Sequence, residues 1–403
     1  MKTVTEFPRK VVELPDVGII MPDGTRLSAR IWMPEDAASD PVPAIIEHLP
    51  YRKRDGTIAR DSLTHPYVAG HGYACIRVDM RGNGDSEGIM EDEYTRTELE
   101  DACAVHAWAA AQAWCNGNTG MMGISWGGFN GLQVAAMQPP SLKAVITLCS
   151  TVDRYADDIH YKGGCLLGEN FGWSANMLSY SSRAPDPAIV GDQWREMWLE
   201  RLQAMPMLLS TWLRHPHRDH YWKHGSICED YSAIKAAVLS LGGWHDGYRN
   251  TPAHLAQNIQ SPVKAIVGPW IHKYPHFAAP EPRIGFLQVA LQWWDRWLKG
   301  IDNGVENEPA YKAWLMDSVE PKPWLPERPG RWIAEAKWPS RNLIQQLYVL
   351  TNDGLSESEG DLDQSISSPQ DTGLTAGEYF PFTYGPELPD EQGEDDKRSL
   401  VFD

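Results

Sequence analysis

The sequence predicts an α/β fold: a mostly parallel sheet with helices on both faces, interrupted by a helical insertion and followed by a β-rich segment. Three observations predict it. Short apolar runs at residues 43–49, 73–80, 119–124 and 142–148 alternate with stretches of helical period. The alternation stops at Ser150 and resumes with runs at 237–243 and 263–268. Between these blocks the chain is rich in Trp, Met, Tyr and Leu without strand periodicity, as expected of helices folded over a sheet.

The elements follow in order. Apolar stretches at 17–21 and 27–33 flank Pro22-Asp23-Gly24, a hairpin signal. The run at 43–49 ends in Pro50-Tyr51-Arg52-Lys53-Arg54-Asp55, where basic residues suggest that the chain surfaces. The strand at 73–80 leads into Arg81-Gly82-Asn83-Gly84-Asp85-Ser86-Glu87-Gly88. This loop lacks the helix directly behind it that dinucleotide binding needs. Thr97-Glu98-Leu99-Glu100 fits a capping box, heading a helix with Leu99, Ala102, Val105, Trp108 and Ala109 on one face. Asn116-Gly117-Asn118 reads as a turn before the next strand, and 129–137 as a helix stopped by Pro139-Pro140. Phe286, Val289, Ala290, Trp293, Trp294, Trp297 and Leu298 share a helical face, with Gly300 as C-cap. From 303 onward, strands at 311–316, 332–336 and 343–350 are joined by Pro-rich turns. Acidic stretches at 356–363 and 387–396 read as solvated loops, and 400–403 as the start of a further strand. The expected domains are 1–150 with 237–302, a helical cap at 151–236, and the start of a β domain at 303–403.

A chain of 403 residues fits two or three domains. Its net charge of −18 argues against nucleic acid and anionic membrane surfaces as partners. No stretch is long and apolar enough to cross a bilayer. Residues 1–10 contain no apolar core of a signal peptide, and the six cysteines are scattered without C-x-x-C spacing. Both features favour reduced thiols in the cytoplasm. His215, His217, His220 and His224 cluster locally, but no second group of matching spacing accompanies them, so neither metal nor cofactor is expected.

The chemistry centres on Gly123-Ile124-Ser125-Trp126-Gly127. In a G-x-S-x-G elbow, a strand turns sharply into a helix and holds a serine at the tip; glycines two before and two after avoid clashes in the turn. Serine acyl transfer also needs a base, a group that orients it and donors for the oxyanion. Asp246 and His272 follow later strands, in the chain order Ser, Asp, His that α/β-hydrolases use. All three are expected at carboxyl ends of strands, where open α/β sheets bind ligands. His245, beside Asp246, and His276 compete with His272 for the base. The Trp126 N–H should donate to the oxyanion, joined by the Tyr51 phenol from the loop after the strand at 43–49.

These motifs together resemble the X-Pro dipeptidyl-peptidase (S15)-like, CocE/NonD serine hydrolases, the cocaine-esterase-like group. The resemblance is carried by Pro50-Tyr51-Arg52-Lys53, Asp79-Met80-Arg81-Gly82-Asn83-Gly84-Asp85-Ser86, Gly123 to Gly128, Gly243-Trp244-His245-Asp246-Gly247 and Gly268-Pro269-Trp270-Ile271-His272. It implies an α/β-hydrolase domain, a helical cap and a C-terminal jelly-roll, which would continue beyond residue 403, so that the chain reads as a fragment. It further implies a small ester, amide or short peptide as substrate, and self-association is compatible with it. Trp126 replaces a tyrosine common after the nucleophile. Tyr248 and Arg249 stand where an amino-acid ester hydrolase branch carries a carboxylate pair, which argues against amine recognition there. The competing readings are an acylase or acyltransferase on the same residues and a non-catalytic binder on the same scaffold.

Overall fold

The computed structural model describes residues 4–403, so the first three residues of the stretch read as lacking a signal peptide lie outside it. Ten strands form one sheet in the order β1-β2-β4-β3-β5-β6-β9-β10-β11-β12. They are β1 (Val11–Ile20), β2 (Arg26–Pro34), β3 (Val42–Leu49), β4 (Ala74–Asp79), β5 (Cys115–Ile124), β6 (Leu142–Leu148), β9 (Ala237–Gly243), β10 (Val263–Gly268), β11 (Tyr311–Met316) and β12 (Gly330–Glu335); β7 (Tyr161–Lys162) and β8 (Cys165–Leu166) form a separate small hairpin. From β4 to β11 every neighbouring pair is parallel, while β1, β2 and β12 join antiparallel at the two edges.

Helices cover both faces because the buried strands place successive side chains on opposite sides. In β3, Val42, Ala44 and Ile46 pack in a cluster with Val105 and Ala109 of α2 (Arg96–Ala110). Ile45 and Leu49 face the other side, in a cluster with Val68 of α1 (Ile58–Gly70) and Trp293, Trp294 and Leu298 of α10 (Phe286–Lys299). Each of those α10 side chains is at most 1% exposed; burial of Leu298 contributes about 1.5–3 kcal/mol, while the unpartnered indole N–H groups of Trp293 and Trp294 offset part of the gain from their rings. Gly300 closes α10 in the left-handed conformation, as its sequence position predicts. α3 (Trp126–Met137) and α9 (Thr251–Asn258) pack over β5, β6, β9 and β10. The insertion folds as α4 (Glu169–Ser181), α5 (Pro187–Val190), α6 (Trp194–Ala204), α7 (Leu208–Leu213) and α8 (His220–Lys223). Among the described residues, no helix is long and apolar enough to cross a membrane.

Six expectations need correction. The cap of α2 is Thr95, not Thr97: its hydroxyl accepts from Glu98 N at 3.2 Å, while the Glu98 carboxylate accepts from Tyr94 N at 2.7 Å. Asn116-Gly117-Asn118 lies within β5, where the register against β3 shifts, rather than in a turn ahead of it. The segment after β3 does not surface as a whole. Lys53 is fully buried, with Nζ 2.7 Å from Asp85 Oδ2 and 3.6 Å from Asp79 Oδ2. Basic residues look exposed in a sequence until their acidic partners, here on the loop after β4, are known. Finally, the strands expected to open a separate β domain at 303 extend the main sheet. β11 runs parallel to β10, burying Tyr311 and Ala313 against Ala265 and Val267. Of the strand expected at 343–350, only the last residues pair, Val349–Thr351 with Gly354–Ser356, and residues 400–403 form no strand.

Candidate active site

Ser125 stands between β5 and α3 with φ 57° and ψ −125°, a left-handed backbone that an L-residue adopts only under constraint. The constraint is local packing. A Cβ on Gly123 would lie 2.5 Å from the Gly127 backbone, so strand and helix pass closer than any side chain at 123 would permit. As the first residue of α3, Trp126 presents an N–H with no partner inside the helix. Its indole is buried and donates to Glu98 Oε1 at 2.8 Å, which ties the start of α3 to the start of α2. Burial lifts the Glu98 carboxyl to about 7, against the hydrogen bonds from Trp126 and Asn130.

Asp246 follows β9 and His272 follows β10, and both are buried. His272 Nδ1 lies 3.2 Å from each Asp246 carboxylate oxygen. Burial alone would raise the Asp246 pKa, but His272, the Cys149 thiol and the Tyr248 N–H outweigh it and hold the carboxylate below its usual range. With Nδ1 turned to Asp246, the other ring nitrogen of His272 is available to the cavity that His272 and Ser125 both line, which encloses about 670 Å³. The competitors lie elsewhere. The ring of His276 stacks on Phe286, and burial, with Arg328 and Arg249 nearby, pushes the His245 imidazole down to about 4. His215 pairs with Asp219 and stacks on Tyr221, while His224 meets the Tyr94 carbonyl.

Tyr51 is half-buried in the same cavity, its ring 6.4 Å from Trp126, 6.3 Å from Trp173 and 5.3 Å from Tyr180. Burial, with Tyr180 and Glu93 nearby, raises the phenol well above its ordinary pKa despite the Ser125 hydroxyl, so it stays a neutral donor. Its loop is pinned from beneath. Asp79 accepts from Lys53 N at 2.7 Å and Asp85 N at 3.0 Å, and a Cβ on Gly84 (φ 54°) would collide with the Asp79 carboxylate. The Asp79-to-Ser86 motif therefore acts as a brace for the loop that carries Tyr51.

Two parts of the site escape sequence reasoning. One wall is acidic: Glu93 bonds His160 Nε2 at 2.8 Å and Trp173 Nε1 at 2.5 Å, and it borders, with Asp158 and Ser125, a small void of about 20 Å³. Burial would raise Glu93, but His160 and Arg154 hold it low; burial and Glu93 lift Asp158 to about 7 despite His160. Asp158 Oδ2 is buried without a hydrogen-bond partner among the described residues. The second is a strap from the far end of the chain. Pro381 O accepts from His272 N at 3.2 Å, the Phe380 ring lies 4.1 Å from the imidazole, and Tyr384 donates to Phe277 O at 2.8 Å. Phe380-Pro381-Phe382, an aromatic pair in a polar tail, was the available signal.

The sequence profile of the X-Pro dipeptidyl-peptidase (S15 family) matches residues 23–274. The chain is 27% identical to cocaine esterase of Rhodococcus sp. (strain MB1 Bresler), over 88% of this chain and 66% of that protein. It is 24% identical to a putative serine esterase of Mycobacterium bovis, over 86% of this chain and 64% of the relative. It thus spans just under two thirds of the length of these relatives. Among solved structures, a CocE/NonD family hydrolase from Staphylococcus aureus superposes with a TM-score of 0.68 at 20% identity, over 89% of this chain and 61% of that one. An α-amino acid ester hydrolase gives 0.62 at 18% identity, over 91% and 66%. These structural likenesses support the α/β-hydrolase fold.

Proposed function

The chain belongs to the X-Pro dipeptidyl-peptidase (S15) family, and from that premise we propose that it is a serine hydrolase of ester or amide bonds acting through Ser125, His272 and Asp246. The observation that carries the proposal is the buried pair of His272 Nδ1 and Asp246, 3.2 Å apart, at the wall of the cavity that holds the strained Ser125. Ser125 Oγ attacks the substrate carbonyl while His272 Nε2 takes its proton, and Asp246 stabilises the imidazolium that forms. The Tyr51 phenol and the Trp126 N–H donate to the tetrahedral oxyanion. His272 returns the proton to the leaving alcohol or amine, and water then releases the acyl group by the same route. A fluorophosphonate probe followed by peptide mapping tests this: labelling at Ser125 is expected, and a folded chain that resists labelling overturns it. Aryl esters assayed against X-Pro anilides then separate esterase from dipeptidyl-peptidase action.

One observation favours a narrower substrate class. Asp158, one of whose carboxylate oxygens is buried and unpartnered among the described residues, borders the void beside Ser125, and a void of about 20 Å³ has room for a single small polar group. A substrate ammonium there would supply the missing hydrogen bond and charge. Free amino-acid esters should then outpace their N-acetylated forms, and Asp158→Asn should erase the difference; equal rates on both substrates by the unaltered chain refute it.

A further inference from the structure

Cys149 lies directly behind Asp246 and His272. It follows β6 with φ 46°, its N–H donates to Leu241 O at 2.9 Å, and its side chain turns toward the carboxyl ends of β9 and β10. Cys149 Sγ, an Asp246 oxygen and a His272 ring nitrogen all lie within 4.8 Å of one another, and all three residues are buried. A tetrahedral zinc site with bonds of about 2.0–2.3 Å has ligand-to-ligand edges of about 3.3–3.8 Å. The 3.2 Å separation of His272 Nδ1 from Asp246 is close to such an edge, and Cys149 Sγ, within 4.8 Å of both ligand atoms, would close to that edge length to supply the third corner. We infer that Cys149, Asp246 and His272 form an inhibitory site for a thiophilic divalent cation, Zn²⁺ or Cd²⁺, inside the proposed catalytic group.

The charges and donors are consistent with this. One thiolate and one carboxylate neutralise a divalent cation, and sulfur with imidazole is the donor pair that zinc and cadmium favour over calcium or magnesium. Glu47, Asp61 and His65 form the other buried trio of ligand types among the described residues. There Arg60 and Arg77 already pair with both carboxylates, leaving no net charge for a cation. No arginine or lysine forms an ion pair with Asp246 among the described residues; its partner is His272.

The inference rests on the proposed role of His272 for its inhibitory consequence. Binding replaces the Nδ1 proton by the metal and shifts that proton to Nε2, while the Cys149 thiol releases its own proton to solvent. His272 then presents an N–H toward Ser125 and can no longer act as its base. Phe380 and the main chain at Pro381 cover the imidazole, so binding should be slow and time-dependent.

The test uses the full chain. Titration with Cd²⁺ should give a thiolate-to-cadmium charge-transfer band saturating at one equivalent, and Zn²⁺ should block fluorophosphonate labelling of Ser125 until EDTA restores it. Cys149→Ser should lose the band and need about tenfold or more Zn²⁺ for the same block. Cys228→Ser, which removes the thiol beside Asp153, should retain both responses. No band, a band that survives Cys149→Ser, or labelling equally zinc-sensitive in that variant overturns the inference. Should Cys149→Ser fail to fold, Asp246→Asn must shift the cadmium titration by a similar factor. A chain that is never labelled, even without metal, refutes the hydrolase reading instead and leaves the optical test valid.

Discussion

Replacing Tyr51 with phenylalanine removes one hydroxyl and leaves the ring. The ring is what packs against Trp126, Trp173 and Tyr180, so the cavity wall keeps its shape. If the phenol is an oxyanion donor, its loss falls on the transition state alone. Removing one such donor typically costs 10²- to 10³-fold in kcat, about 2.7–4 kcal/mol. The remaining Trp126 N–H should keep turnover above background. KM should stay within about twofold, because the ground state does not use the bond. Because burial keeps the phenol neutral far into the alkaline range, this fall should be the same at pH 7 and pH 9. Steady-state kinetics on an aryl ester, with thermal unfolding as a control, decides the matter. A kcat within about threefold of the unaltered chain, or kcat and melting temperature falling together, refutes the donor role.

Three further outcomes follow from the same geometry. Ser125→Gly should lose about 10⁶-fold in kcat, and the removal of left-handed strain should raise stability by about 1 kcal/mol; urea unfolding that shows no gain contradicts the strain. Burial drives His48 down to about 4, so the unfolded chain binds the extra proton between its ordinary value near 6.5 and that pH. His48 should therefore account for about 3 kcal/mol of the stability lost as pH drops through this window, and His48→Leu should remove that share while the depressed His65, His106, His245 and His276 keep theirs. Lys53→Met strands Asp79 and Asp85 and should cost about 3–5 kcal/mol in chemical denaturation.

What could be read from the sequence was whatever the backbone itself demands. The elbow needs glycine at 123, and the run of strands and helices carries Asp246 and His272 to the same rim, so these residues were visible without coordinates. Pairings between distant side chains were not. Lys53 reads as a surface cation until Asp79 and Asp85 are beside it. Glu93, Asp158 and His160 lie apart in the sequence with no motif spacing and meet only through the start of the inserted region. β11 and β12 looked like a new domain because Pro-rich turns surround them and half of β12 faces solvent, although their pairing continues the main sheet.

The strap over His272 separates two tasks that proteins often entangle. The groups proposed to react hang from strand ends deep in the sheet, whereas the ceiling above them belongs to a peripheral ribbon around Phe380 and Phe382 that holds no strand of that sheet. Selection, or an engineer, can therefore rewrite that ribbon to admit bulkier or more polar molecules while the machinery below keeps its alignment.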